Sequence, residues 1–259
     1  MQICSTVGLI QPILNCLPCL LRPVHHLPIK ILPQPDETTC GPTCLHAIYN
    51  YWGKSESLKD IIARTRKLES GAGTFDVFLA CDALRSGFQA TIYTYNLTVF
   101  DPTWFVAGVD IAERLRQQCE IKTNRRLQYV TEGYLEFLSL GGRLRLADLS
   151  HSLIHGLLRR GLPILTGLSS TFLYRVAREY GPDDTPDDVR GVPSGHFVII
   201  TGYNRTKRTL LVADPYGPIQ EYWSNIDRVI SAILLGIVTY DSNLLVIHSA
   251  HKQQVAKMP

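Results

Sequence analysis

Gln34-Pro35-Asp36-Glu37-Thr38-Thr39-Cys40-Gly41-Pro42-Thr43-Cys44-Leu45 is the stretch on which the reading of this chain turns. Acyl transfer on a thiol needs a thiolate held at a helix N-terminus and a donor placed to hold the oxyanion that its attack creates. Cys40 opens a segment with helix signals at both ends. Thr38 and Thr39 are cap-type residues, Pro42 suits the first turn, and Gly53 suits the stop. Between them Leu45, Ile48, Tyr49 and Trp52 recur at three- and four-residue steps, which predicts one buried face. The helix dipole and the terminal N–H groups lower the pKa of a cysteine so placed. Gln34, six residues upstream, is positioned to complete an oxyanion hole with the Cys40 N–H.

The base and its orienting group are expected far downstream. Ser194 to Thr201 reads as a β-strand with His196 at its start, and Thr209 to Asp214 reads as a second strand ended by Pro215-Tyr216-Gly217. A hairpin turning near Arg205 and Thr206 would pair positions whose numbers sum to about 411, bringing Asp214 next to His196. A carboxylate there accepts from the imidazole, fixes its tautomer and stabilises the imidazolium. Each residue has a blander reading: Cys40 as a buried structural thiol, His196 as a core histidine, Asp214 as a strand-ending turn residue. Those readings leave the set Gln34, Cys40, His196 and Asp214 unexplained.

With these motifs the chain resembles the papain-like cysteine peptidases, and among them the bacteriocin-processing peptidases that cleave leader peptides after a double glycine. That family's pattern is a Gln, then Cys-Gly-Pro opening a helix, Gly-His opening a strand and Asp-Pro closing the next. Here it falls on Gln34, Cys40-Gly41-Pro42, Gly195-His196 and Asp214-Pro215, within residues 28 to 220. The resemblance implies an α+β fold, a helical N-terminal part carrying the Cys helix packed on an antiparallel sheet carrying His and Asp. It implies hydrolysis of a peptide or amide bond by Cys40, His196, Asp214 and Gln34, after small residues such as Gly-Gly. The expected substrate contacts are Gly41, Gly195 and Tyr174. The chain departs from the pattern at Thr39, where that family often has Asp, and in a longer segment between helix and strand. A stand-alone form is expected, without the transporter domains. Acyl transfer to an amine would use the same residues, and a silent leader-peptide-binding module would keep the fold without turnover.

The chain has 259 residues, 45% of them apolar, and a net charge of +3. One sizeable core is expected. The charge is too small, and too evenly spread, to argue for nucleic acid. Seven cysteines (Cys4, Cys16, Cys19, Cys40, Cys44, Cys81 and Cys119) form no disulfide framework by spacing. The lone Cys16-Leu17-Pro18-Cys19 lacks a second ligand pair apart from His25 and His26, so neither a metal nor a cofactor is expected. Residues 1–27 are apolar and broken by proline, which predicts a poorly ordered extension rather than a signal peptide or membrane helix. A peptidase domain over 28–250 and a polar tail over 251–259 complete the expected organisation. A cytoplasmic protein acting on a peptide or protein follows, with its oligomeric state undetermined.

Between the motifs, helices are expected over Leu58–Leu68, Phe75–Ser86, Asp110–Gln118, Glu132–Leu138 and Leu146–Arg160, with a short strand over Gln89–Tyr95. Leu162–Leu168 reads as the strand that receives His196, and Leu244–Ile247 as a short final strand. Helices thus come first and strands later. Asp183, Asp184, Asp187 and Asp188 read as a solvated turn just ahead of His196, with basic-peptide recognition or calcium as the less frequent readings.

Overall fold

The computed structural model describes residues 23–68, 73–236 and 242–249. Helix α1 (Cys40–Tyr51) forms where the capping signals place it, but it is more central than a one-faced helix. Leu45, Ile48 and Tyr49 are buried as the spacing predicts, and so are Gly41, Thr43, Cys44 and Ala47. The expected threonine cap is absent. The Thr39 hydroxyl donates to the Asp36 carbonyl (3.0 Å) and accepts from the Asp36 N–H (3.2 Å), so no side chain caps the helix. The positive end of α1 therefore has no acidic or hydroxyl partner of its own in the first turn.

Helix α2 (Leu58–Arg64) and helix α3 (Asp76–Arg85) follow, then strand β2 (Phe88–Thr94) and helix α4 (Ile111–Ile121). Helix α5 (Arg125–Ser139) is twice the length expected, because Asn124 caps it by accepting from the Leu127 N–H. Strand β3 (Arg143–Arg145) occupies residues ahead of the predicted long helix. Helix α6 (His151–Arg159) begins only where Ser150 caps it, which corrects the expected start at Leu146. Strand β4 (Ile164–Ser169), the short helix α7 (Ser170–Tyr174) and a small hairpin of β5 (Glu179–Tyr180) and β6 (Thr185–Pro186) precede the His strand. The chain closes with β7 (Gly195–Asn204), β8 (Thr209–Ala213), β9 (Glu221–Asn225), helix α8 (Ile226–Leu235) and β10 (Asn243–Ser249).

The sheet runs β3-β2-β10-β4-β7-β8-β9, and β1 (Val24–His26) adds to β7. All pairings are antiparallel except β2 with β3. This is the α+β class expected, with α1 packed on β7, α3 on β2 and α8 on β4. The order of helices before strands does not hold, however. Strands β2 and β3 lie among the helices in sequence, and the short final strand is a central member joining β2 to β4.

Two local departures position the site. The β7–β8 register runs one to two residues later than predicted (Ile199 with Ala213, Asn204 with Thr209), because of an irregularity between Ile200 and Gly202. Strand β1 crosses β7 there, and a Cβ on Gly202 would stand 2.5 Å from the His25 carbonyl oxygen, so only glycine fits. Part of the stretch expected to be loose is thus built into the sheet, and Leu27, Ile29 and Ile31 continue into the core. Residues 1–22, with the Cys16–Cys19 pair, and the polar tail from residue 250 lie outside the described residues. Among the described residues no group of side chains is arranged to hold a metal ion, and no helix is long and apolar enough to cross a membrane.

Candidate active site

Three buried side chains from three elements meet at one end of the sheet. Cys40 is 8% exposed, His196 9% and Asp214 1%. His196 Nε2 donates to Asp214 Oδ1 at 2.8 Å, which leaves Nδ1 for the Cys40 thiol, its hydrogen-bond partner on the other side. Strand β4 holds this end in register by pairing Leu168 with His196 and Ser169 with Gly195. Asp214 follows β8 directly, and its N–H bonds the Gln220 carbonyl (2.9 Å), which ties it to the turn leading into β9.

The carboxylate of Asp214 is fully occupied. Oδ1 also accepts from the Tyr216 N–H (2.9 Å), and Oδ2 accepts from the hydroxyls of Tyr174 (2.5 Å) and Tyr222 (2.9 Å). A buried anion needs such donors to remain charged. Burial alone would raise the Asp214 pKa, but His196 and these donors hold it below the ordinary carboxylate value. Burial likewise opposes charge on His196, yet the bonds to Asp214 and Cys40 raise its pKa to about 10. For Cys40 burial pushes the thiol up, and His196 with the backbone N–H groups of Phe197 and Gly41 outweighs it, so the pKa lies below the ordinary thiol value. The three shifts agree in sign: the site favours thiolate, imidazolium and carboxylate together.

Gln34 stands beside this group because its N–H bonds the Pro215 carbonyl (2.9 Å), immediately after Asp214. Its amide Nε2 donates one proton to the Asp36 carbonyl (2.9 Å) and retains a second. Gln34, Gly195, Tyr174 and Tyr216 line a cavity of about 480 Å³ that opens against His196. Glu37, Glu179, Asp183 and Asp184 supply its acidic wall, so part of the acidic turn faces this cavity. Burial, with Asp184 and Glu37 close by, keeps the Glu179 carboxyl above its usual range.

Not every expected contact residue points this way. Gly41 faces the core: a Cβ there would lie 3.0 Å from Thr74 Cγ2 and 3.2 Å from Phe197 Cδ2, so this glycine lets α1 approach β7. Tyr174 lines the cavity, but its hydroxyl is committed to Asp214. Tyr222 was not foreseen. The signal for it was the alternation of β9, in which Tyr222 and Ser224 are half-buried between exposed neighbours, on a strand paired with β8.

A thiol at a helix start, facing a histidine and a carboxylate on an antiparallel sheet, is the arrangement that the resemblance to papain-like cysteine peptidases implies. The model of the Peptidase_C39-like family matches residues 124–232, the part that carries His196 and Asp214. The chain is thus similar over that stretch to the peptidase family its motifs resemble. No curated protein sequence matches it. Similar solved structures include the peptidase domain of Streptococcus ComA, a bi-functional ABC transporter of a quorum-sensing pathway, at 13% identity, covering 85% of this chain and 98% of that one with a TM-score of 0.42. Another is a C39-like peptidase from Bacillus anthracis, at 13% identity, 87% and 98% coverage and a TM-score of 0.43. Xylellain, a cysteine protease from Xylella fastidiosa, aligns at 15% identity, 96% and 94% coverage and a TM-score of 0.44.

Proposed function

We propose that the chain cleaves peptide bonds with Cys40 as nucleophile, His196 as acid and base, Asp214 as its orienting anion and Gln34 as oxyanion donor. The observation that carries this reading is the buried run Cys40–His196–Asp214, polarised toward the ion pair. The Cys40 thiolate adds to the scissile carbonyl carbon, and the carbonyl electrons move to oxygen. The Cys40 N–H and the second amide proton of Gln34 hold that oxyanion. His196 Nδ1–H gives its proton to the leaving nitrogen as the C–N bond breaks, leaving an acyl thioester on Cys40 and a neutral imidazole. The imidazole then takes a proton from water, whose oxygen adds to the thioester. Loss of sulfur returns the thiolate and imidazolium and releases the acid.

Asp214 keeps one role throughout. With four donors on it, it stays ionised and fixes the His196 tautomer with the proton on Nε2, so that Nδ1 alone exchanges protons with the reacting atoms. Small residues before the scissile bond, Gly-Gly first, are the substrates the motif resemblance suggests. The test is a panel of fluorogenic peptides, with and without Gly-Gly, given to wild type and Cys40→Ala, with products read by mass spectrometry. Free acid products from the wild type alone support the reading. Products of equal yield from both proteins would overturn it.

A further inference from the structure

At the other end of α1 a second cavity, of about 580 Å³, opens away from the acidic one. Helix α1 has 12 residues, which puts Tyr51 and Trp52 roughly 18 Å from Cys40. The cavity is strongly basic. Arg143 and Arg145 reach it from β3 and Arg160 from the end of α6, while no aspartate or glutamate lines it. Several arginines elsewhere are paired, among them Arg64 with Glu56 and Asp82 and Arg66 with Glu132. Among the described residues none of the three cavity arginines has an ion-pair partner.

The walls are held in place independently of any ligand. The Tyr51 hydroxyl bonds the Gly161 carbonyl (3.0 Å), and Trp52 Nε1 bonds the Ile247 carbonyl (2.9 Å). Arg143 Nη2 lies 3.2 Å from His248 Nε2, and since guanidinium only donates, His248 is the acceptor and is neutral. Burial, followed by the charges of Arg143 and Arg160, holds that ring below its ordinary pKa, so both arginines act on one buried group. Strand β3 has three residues, and its alternation turns both arginines to the cavity with Leu144 between them. Three like charges gathered with no carboxylate among the lining residues repel one another, whereas guanidinium forks match phosphoryl oxygens in geometry and charge.

We propose that this cavity binds a phosphoryl-bearing small molecule, with Arg143, Arg145 and Arg160 on the phosphoryl oxygens and Tyr51, Trp52 and Tyr93 beside its body. The volume falls within the usual range for small-molecule sites. This site stands apart from the proposed peptidase chemistry, and either reading survives the failure of the other. The probe is inorganic pyrophosphate, titrated calorimetrically into the intact chain at constant ionic strength. One saturable site is expected, weakened at least about tenfold in Arg145→Gln/Arg160→Gln. The control Arg114→Gln/Arg116→Gln removes the same charge from exposed positions of α4 and should leave the affinity unchanged. Absence of saturable binding, or equal weakening by both pairs, overturns the proposal. A second readout replaces no arginine. The chain has 3 tryptophans. With Trp104→Phe and Trp223→Phe, Trp52 remains as reporter, and its emission must change saturably with pyrophosphate. An unmoved emission overturns the proposal as well.

Discussion

Cys40 and Cys44 lie one turn apart on the same helix, both buried, and the structure treats them oppositely. Both address Phe197: its N–H faces the Cys40 sulfur, and its carbonyl accepts from the Cys44 thiol at 3.4 Å. The backbone of one residue thus favours thiolate at one cysteine, through its N–H, and thiol at the next, through its carbonyl. Burial, followed by the negative charges of Cys40 and Asp214, pushes Cys44 well above the ordinary thiol pKa. Cys40 is pulled below it despite similar burial, because His196 faces it. The donors aimed at a sulfur decide its reactivity, and burial by itself does not.

The largest effect expected from this contrast is on turnover. Cys40→Ala should abolish peptide cleavage with little change in thermal midpoint, and measurable cleavage by that variant would remove Cys40 from the mechanism. Next comes Gln34→Ala, which should cost on the order of 10²–10³ in kcat if its second amide proton holds the oxyanion. An unchanged kcat would leave Gln34 as a loop residue fastened to Asp36.

The pH dependence sharpens the comparison further. The thiolate–imidazolium pair exists above the lowered Cys40 pKa and below the His196 pKa of about 10. Alkylation of Cys40 should therefore persist below the ordinary thiol range, and His196→Ala should abolish that low-pH labelling. The alkaline limb of kcat/KM should lie near 10, where His196 loses its proton. Asp214→Asn should draw that limb down by about one unit or more, since the carboxylate stabilises the imidazolium. A limb that stays in place would show that the Cys40 thiolate, not the Asp214 charge, sets the histidine. The smallest effect is expected at Cys44→Ser. It should keep turnover within about twofold, because serine retains the donor to the Phe197 carbonyl at a cost of about 1 kcal/mol of stability. A large loss there would mean that the two cysteines act together.

The parts of this site readable from sequence are those written in local pattern. The helix from Cys40, the strand from His196 and the Asp214-Pro215 stop each show in a window of ten or so residues, because periodicity and turn chemistry are local properties. What escaped depends on partners distant in the chain. Nothing near Leu244 marks β10 as central, since strand order is set by which edges meet. Arg143–Arg145 is a strand only because β2 lies beside it, and its sequence was absorbed into the approach to a helix. Tyr222 belongs to the site through the β8–β9 pairing, and Gly41 proved to be a packing residue through its contacts with Thr74 and Phe197.

The central place of β10 has a consequence for the chain as it is made. Synthesis delivers Cys40 some two hundred residues before β10, the strand that joins β2 to β4. Until then β4, which sets the register of His196, lacks one of its neighbours, and long-range sheet pairing is the slow step of such topologies. A nascent chain thus carries its thiol before the sheet that holds His196 is complete. On the proposed mechanism, full proteolytic competence would wait for the strand through Ser249, so that the order of assembly would itself delay cleavage.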